Sequence, residues 1–152
     1  MADSFYTNKI IWIIGASEGI GHALALHLDS LGAQLILSAR NEVKLTELSA
    51  QLHKQATIVP LDVSNYSSFQ DAFNTATNAH NIDAIIYFPA LYTPMTLENL
   101  DLASVHKTIN ANLTAVFSLF QLALPYLKDH ASCTLAVTGS VAGYIGLPNS
   151  QP

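Results

Sequence analysis

The sequence predicts an α/β protein built on a doubly wound parallel sheet. Five short runs rich in β-branched and other apolar residues alternate with longer stretches of helical period. Each run is apolar throughout rather than alternately polar and apolar, as strands are when helices cover both faces of a parallel sheet. A glycine-rich turn joins the first apolar run to the first helical stretch.

Taken in order, the strands are Lys9 to Ile14, Gln34 to Ala39, Thr57 to Leu61, Ala84 to Phe88 and Thr134 to Thr138. Helices fall at about residues 19 to 31, 41 to 54, 65 to 79 and 102 to 128, the second opening after Asn41 and the third after Ser64, both good N-cap types. In the fourth stretch Leu102, Val105, Ile109, Leu113, Val116, Phe120 and Leu124 recur at spacings of three and four, while Leu119, Leu122 and Leu127 take other faces. That pattern predicts a helix buried almost all round. Right-handed crossovers then order the sheet 3-2-1-4-5 and put the ligand crevice beyond the carboxyl ends of the strands.

The length of 152 residues suits one domain, residues 1 to 152. Half the residues are apolar and 11% are charged, well below the roughly 25% usual for globular chains, so a disordered chain is excluded. Six basic residues against eleven acidic ones give a net charge of −5, and the six are scattered, which speaks against a nucleic-acid partner. Mean hydropathy is +0.30, yet the longest apolar run, Leu113 to Leu127, contains Thr114, Ser118, Gln121 and Pro125. A span needs about 20 largely apolar residues, so no membrane segment is expected. The stretch Ile10 to Ile14 is too short for a signal-peptide core and Asp3 precedes it, which leads to the expectation of a cytoplasmic protein. The single cysteine, Cys133, fits a reducing compartment and is expected to pack as a small buried hydrophobe. The six histidines show no metal-binding spacing, so no protein metal site is expected.

The turn reads Gly15-Ala16-Ser17-Glu18-Gly19-Ile20-Gly21 and runs into His22-Ala23-Leu24-Ala25-Leu26. Gly15 permits a tight exit from the strand, Gly19 lets backbone approach a pyrophosphate, and Gly21 allows close helix packing. The unpaired N–H groups of the helix start carry a partial charge of roughly +0.5 and favour an anion.

The spacing G-x-x-x-G-x-G, with four further segments along the chain, resembles the short-chain dehydrogenase/reductase family and its Rossmann-type domain. The matching segments are Leu37-Ser38-Ala39-Arg40-Asn41, Leu61-Asp62-Val63, Thr108-Ile109-Asn110-Ala111-Asn112-Leu113-Thr114, and Leu135 to Gly143 followed by Gly146-Leu147-Pro148. The resemblance implies that Gly15, Ser17, Gly19, Ile20, Gly21, Arg40, Asp62 and Ala90 bind a dinucleotide. Where an NAD-preferring relative would place an acid, this chain has Ala39 followed by its only arginine, Arg40. A guanidinium fork suits an adenosine 2′-phosphate, so NADP(H) is the expected cofactor. Such a contact discriminates roughly 10- to 150-fold, which makes a preference and leaves NAD(H) in play. Glu18 sets an acid in the turn where many NADP-using relatives have a base. Asp62 matches the family's partner for the adenine amino group, with a helix-capping or loop acid as the plainer reading.

The resemblance also makes Asn112 the residue holding a relay water and Ser140 the hydroxyl polarising a substrate carbonyl. Structural hydrogen bonding is the alternative for Asn112, and Asn110 lies two residues away. Tyr87-Phe88-Pro89-Ala90 stands where the family has Asn-Asn-Ala-Gly, and its aromatic rings are expected to supply area without equivalent amide bonds. The family's Tyr-x-x-x-Lys pair would begin one residue past Pro152, and no tyrosine of the chain has a lysine four residues on. The reading is therefore an NADP(H)-dependent oxidoreductase interconverting a small-molecule carbonyl and an alcohol, its C-terminal strands and helices lying outside a truncated chain. The alternatives are an inactive dinucleotide-binding fragment and a flavodoxin-like mononucleotide module. The resemblance implies homo-oligomerisation through the 102–128 helix and a further helix outside this chain, with burial of that helix within one subunit as the alternative.

Overall fold

The computed structural model describes residues 5 to 146; Leu147 and Pro148 of the last matching segment lie outside them. Five strands form one sheet: β1 (Ile10–Ile14), β2 (Gln34–Ser38), β3 (Thr57–Ile58), β4 (Ala84–Tyr87) and β5 (Thr134–Val137). All pairs are parallel and the order is β3-β2-β1-β4-β5. This is the expected 3-2-1-4-5 order and excludes the flavodoxin-like 2-1-3-4-5 arrangement. Ile11 of β1 lies level with Leu35 on one side and Ala84 on the other.

The unbroken apolar character of β1 follows from this central place. Successive side chains point to opposite faces, so Trp12 and Ile14 enter one core with Phe69, Phe73, Ile85, Tyr87 and Leu119. Ile11 and Ile13 enter the other with Ala25, Leu28, Leu35, Leu37, Leu45 and Leu48. Helices α1 (Gly19–Ser30) and α2 (Glu42–Ser49) cover the second core, and α3 (Tyr66–Ala79) and α5 (Ala115–Asp129) the first. Trp12 brings an indole N–H into a fully buried position, where it donates to the equally buried Ser38 hydroxyl at 2.8 Å.

Several boundaries differ from the sequence expectation. Strand β3 is two residues long, although Val59 and Leu61 beyond it still donate to Leu37 O and Ala39 O at 2.9 and 3.1 Å. Helix α2 ends at Ser49 rather than near residue 54: the N–H groups of His53 and Lys54 turn to the buried Asp29 carboxylate at 2.8 and 3.2 Å. Asn65, not Ser64, caps α3, accepting from Ser68 N–H at 3.2 Å. Ser64 is engaged elsewhere, giving its N–H and hydroxyl to Asp62 Oδ1.

The fourth helical stretch departs most. It consists of α4 (Leu102–Ile109), a π-helical turn at Asn110–Thr114 and then α5. Asp101 caps α4 through Ala103 and Ser104. The expected all-round burial is not observed: within α5 only Ala115, Leu119 and Ala123 are buried, while Phe117 and Leu124 are 63% and 53% exposed, and Leu113 in the π-helical turn is 55% exposed. A helix laid on one sheet face buries a single stripe, and among the described residues nothing covers the opposite one. Cys133 is only half-buried, at the margin of the first core. Among the described residues no helix is long and apolar enough to cross a membrane, and no three acidic, histidine or cysteine side chains gather as a metal site.

Candidate cofactor cleft

A cleft of about 1020 Å³ opens where β1, β2, β4 and β5 end. Gly15, Ser17, Glu18, Ile20 and Gly21 line it from the first turn, Ala39, Arg40 and Asn41 from the end of β2, and Leu61 to Ser64 from beyond β3. Phe88 to Leu91 follow β4 into it, and Thr138 and Gly139 follow β5. Parallel strands place all their carboxyl ends on one edge, which is why segments so distant in sequence converge here.

The turn is pinned by backbone. Gly15 N–H and Ala16 N–H both donate to Ser38 O, at 2.7 and 3.1 Å, and Gly15 takes a φ of +88° that this exit requires. A Cβ on Gly21 would collide with the Gly15 carbonyl, so helix and turn approach as closely as glycine permits. Gly19 also has a positive φ, +59°, and a Cβ there would meet open space.

Helix α1 then starts without a side-chain cap, whereas Asn41, Asn65 and Asp101 cap α2, α3 and α4. The first N–H groups of an α-helix have no partner within it. The start of α1 therefore leaves its first N–H groups without a side-chain cap at the turn that lines the cleft.

The charged residues lining the cleft are Glu18, Arg40, Lys44, Asp62 and Lys107. Lys44 Nζ donates to Glu18 Oε2 at 2.8 Å. That hydrogen bond, with the charge of Lys44 and a smaller contribution from Arg40, holds the Glu18 carboxyl below its ordinary pKa. The same bond raises Lys44. Asp62 lines the cleft with Oδ1 already accepting two bonds from Ser64.

Tyr87, the last residue of β4, supplies area and a hydroxyl bridge. Tyr87 is 1% exposed, its ring stacks on Phe69 with centroids 6.4 Å apart, and its hydroxyl donates to Ala111 O at 3.3 Å in the π-helical turn. Burial pushes its pKa up to about 12, which keeps it a neutral donor. The two asparagines of the turn have separate duties. Asn110 Nδ2 donates to Ser64 O at 3.1 Å, while Asn112 holds both backbone groups of Leu91. The π-helical turn thereby ties the loops after β3 and β4 together.

Of the residues singled out from the sequence, the cleft brings together Gly15, Ser17, Ile20, Gly21, Arg40, Asp62 and Ala90. Gly19 shapes the turn without lining the cleft. Asn112 follows the lining residues Asn110 and Ala111, and Ser140 follows Thr138 and Gly139. Ser140 Oγ accepts from Ala142 N–H at 3.1 Å and starts a short 3₁₀ turn, Val141–Gly143. Lys44 and Lys107 were not apparent from sequence, because only the folded chain brings them to the cleft.

A family model for short chain dehydrogenase matches residues 9–152. Sulfoacetaldehyde reductase 2 of Chromohalobacter salexigens is 30% identical over 149 residues, covering 95% of this chain and 59% of that protein. An uncharacterized oxidoreductase of Staphylococcus epidermidis is 28% identical over 137 residues, or 90% of this chain. The chain spans 60% of the length of that relative. Among solved structures, a short-chain type dehydrogenase/reductase from Mycobacterium marinum aligns with a TM-score of 0.87 at 24% identity, over 96% of this chain and 61% of that one. A Shigella flexneri protein solved as a complex with NADP aligns at 0.88 and 24% identity, over 97% and 65%.

Proposed function

Because the chain belongs to the short-chain dehydrogenase family, we propose that it binds NADP(H) and is the cofactor-binding part of an oxidoreductase that interconverts a carbonyl and an alcohol. The observation that carries this reading is the uncapped start of α1 opening on a cleft with Arg40 at the end of the neighbouring strand. The residues fit the group: backbone donors for a diphosphate, a guanidinium for a 2′-phosphate, and a glycine turn with no side chain in the way. The NADP in the S. flexneri structure supports the same assignment.

Bound NADPH would supply a hydride to a carbonyl carbon. Gly15, Ser17, Gly19, Ile20 and Gly21 would hold its diphosphate, Arg40 its 2′-phosphate, and Asp62 and Ala90 the adenosine side. Ser140 is the substrate-facing hydroxyl in this reading. Its Oγ accepts from Ala142, so the proton it has left to offer can polarise a carbonyl oxygen. Asn112 has its carboxamide committed to Leu91 and serves by holding the cleft wall and the π-helical turn in place.

Calorimetric titration with NADPH and NADH tests the cofactor assignment. Arg40→Ala is expected to weaken NADPH roughly 10- to 150-fold with NADH little changed, and equal losses would overturn it.

A further inference from the structure

The charges around Arg40 are not independent. The carboxylate of Glu18 is the last group before α1, and Lys44 stands in the first turn of α2. Both line the cleft with Arg40, and the two are joined at 2.8 Å. Arg40 is near enough for its charge to act on the same carboxylate, and Glu47 acts on Lys44 from its own helix. An acid at this position, left unpaired, would cancel the single guanidinium and repel a phosphate dianion. Paired with Lys44 it contributes no net charge, and the guanidinium of Arg40 is not offset by it.

We propose that Lys44 is a specificity-determining positioning residue: by holding the Glu18 carboxylate it removes the turn's negative charge from the mouth of the cleft and so admits the 2′-phosphate of NADP(H). Lys44 acts through Glu18 and does not itself touch the phosphate. Released from Lys44, the carboxylate is an acceptor that suits the unphosphorylated ribose hydroxyl of NAD(H), so the pair biases the choice between the two dinucleotides. The inference rests on the NADP(H) reading of the cleft and concerns only what sets its selectivity.

The test is calorimetric titration of NADPH and NADH into the wild-type chain, Lys44→Met, Glu18→Gln and the double variant, each first shown by circular dichroism to melt like the wild type. Lys44→Met is expected to weaken NADPH about fivefold, the upper end for an exposed charge pair, without weakening NADH. Glu18→Gln in the Lys44→Met background is expected to return NADPH affinity to the wild-type value. A double variant as weak as Lys44→Met would place Lys44 on the phosphate and overturn the proposal, as would equal losses for both dinucleotides or no loss in Lys44→Met. A wild-type chain that shows no preference for NADPH, with Arg40→Ala silent, overturns the cofactor reading itself. A preference for NADPH that Lys44→Met leaves undiminished, with Arg40→Ala still removing it, overturns this inference alone.

Discussion

The carboxamide of Asn112 closes a ring with the backbone of Leu91: Oδ1 accepts from Leu91 N–H and Nδ2 donates to Leu91 O, each at 2.7 Å. One side chain thus replaces a strand partner for the segment that leaves β4 and forms a wall of the cleft.

Asn112→Ala removes both bonds, worth about 1 kcal/mol each. Opening of that wall should then be easier by about 2 kcal/mol, or roughly 30-fold faster amide exchange at Leu91. Unchanged exchange there, measured by NMR, would mean that the loop is held by something else.

The Trp12–Ser38 bond is the buried counterpart. Ser38→Ala leaves the indole N–H without a partner and Trp12→Phe leaves the hydroxyl without its donor, each costing about 1 to 3 kcal/mol or more where packing is lost. The double variant should cost less than the two added together. Additive urea midpoints would rule out a coupled pair.

On α5, neighbouring apolar residues should respond oppositely. Leu119 is wholly buried and Phe117 is 63% exposed. Leu119→Ala is expected to cost about 2 to 5 kcal/mol, and Phe117→Ser within about 0.5 kcal/mol. Similar losses in thermal melts would contradict the single buried stripe.

Acid should loosen the junction between α1 and the end of α2. Burial raises the Asp29 carboxyl, but bonds from His53 N–H, the His53 ring and Lys54 N–H outweigh it and hold its pKa below the ordinary value. A lowered folded-state pKa contributes stability that is complete above the unfolded value of about 3.9 and is lost as pH falls through the folded-state one. Asp29→Asn should therefore lower stability at neutral pH and flatten its decline below about pH 4. Part of the decline should persist through Asp83, which burial raises and Lys9 and Ile10 N–H lower further. A urea-midpoint profile that keeps its full slope in Asp29→Asn would refute this.

The strands and their order were legible because β1, β2 and β4 are apolar on both faces, and the glycine turn because Gly15 and Gly21 have backbone reasons to be glycine. Asn41 was readable as a cap from its place before α2; Asn65 was not, since Ser64 beside it is an equally good cap until Asp62 claims it. The burial of the 102–128 stretch was misjudged because spacing reports which residues share a face and says nothing of what lies opposite. The Glu18–Lys44 pair and the Tyr87–Ala111 bridge join residues far apart in sequence, and no local pattern announces either. Lys44 reads as an ordinary helix-surface lysine until the fold brings it beside the turn.

The central strand receives its neighbours at different moments of synthesis. Ile11 can align with Leu35 as soon as β2 has been made, but the opposite edge waits for Ala84. A nascent chain can therefore assemble the layer of α1 and α2 while the indole of Trp12 still faces water, and only emergence of α3, β4 and α5 covers it. Such late, distant pairings are slow to close, and until they do the Trp12 face of β1 offers apolar surface to solvent.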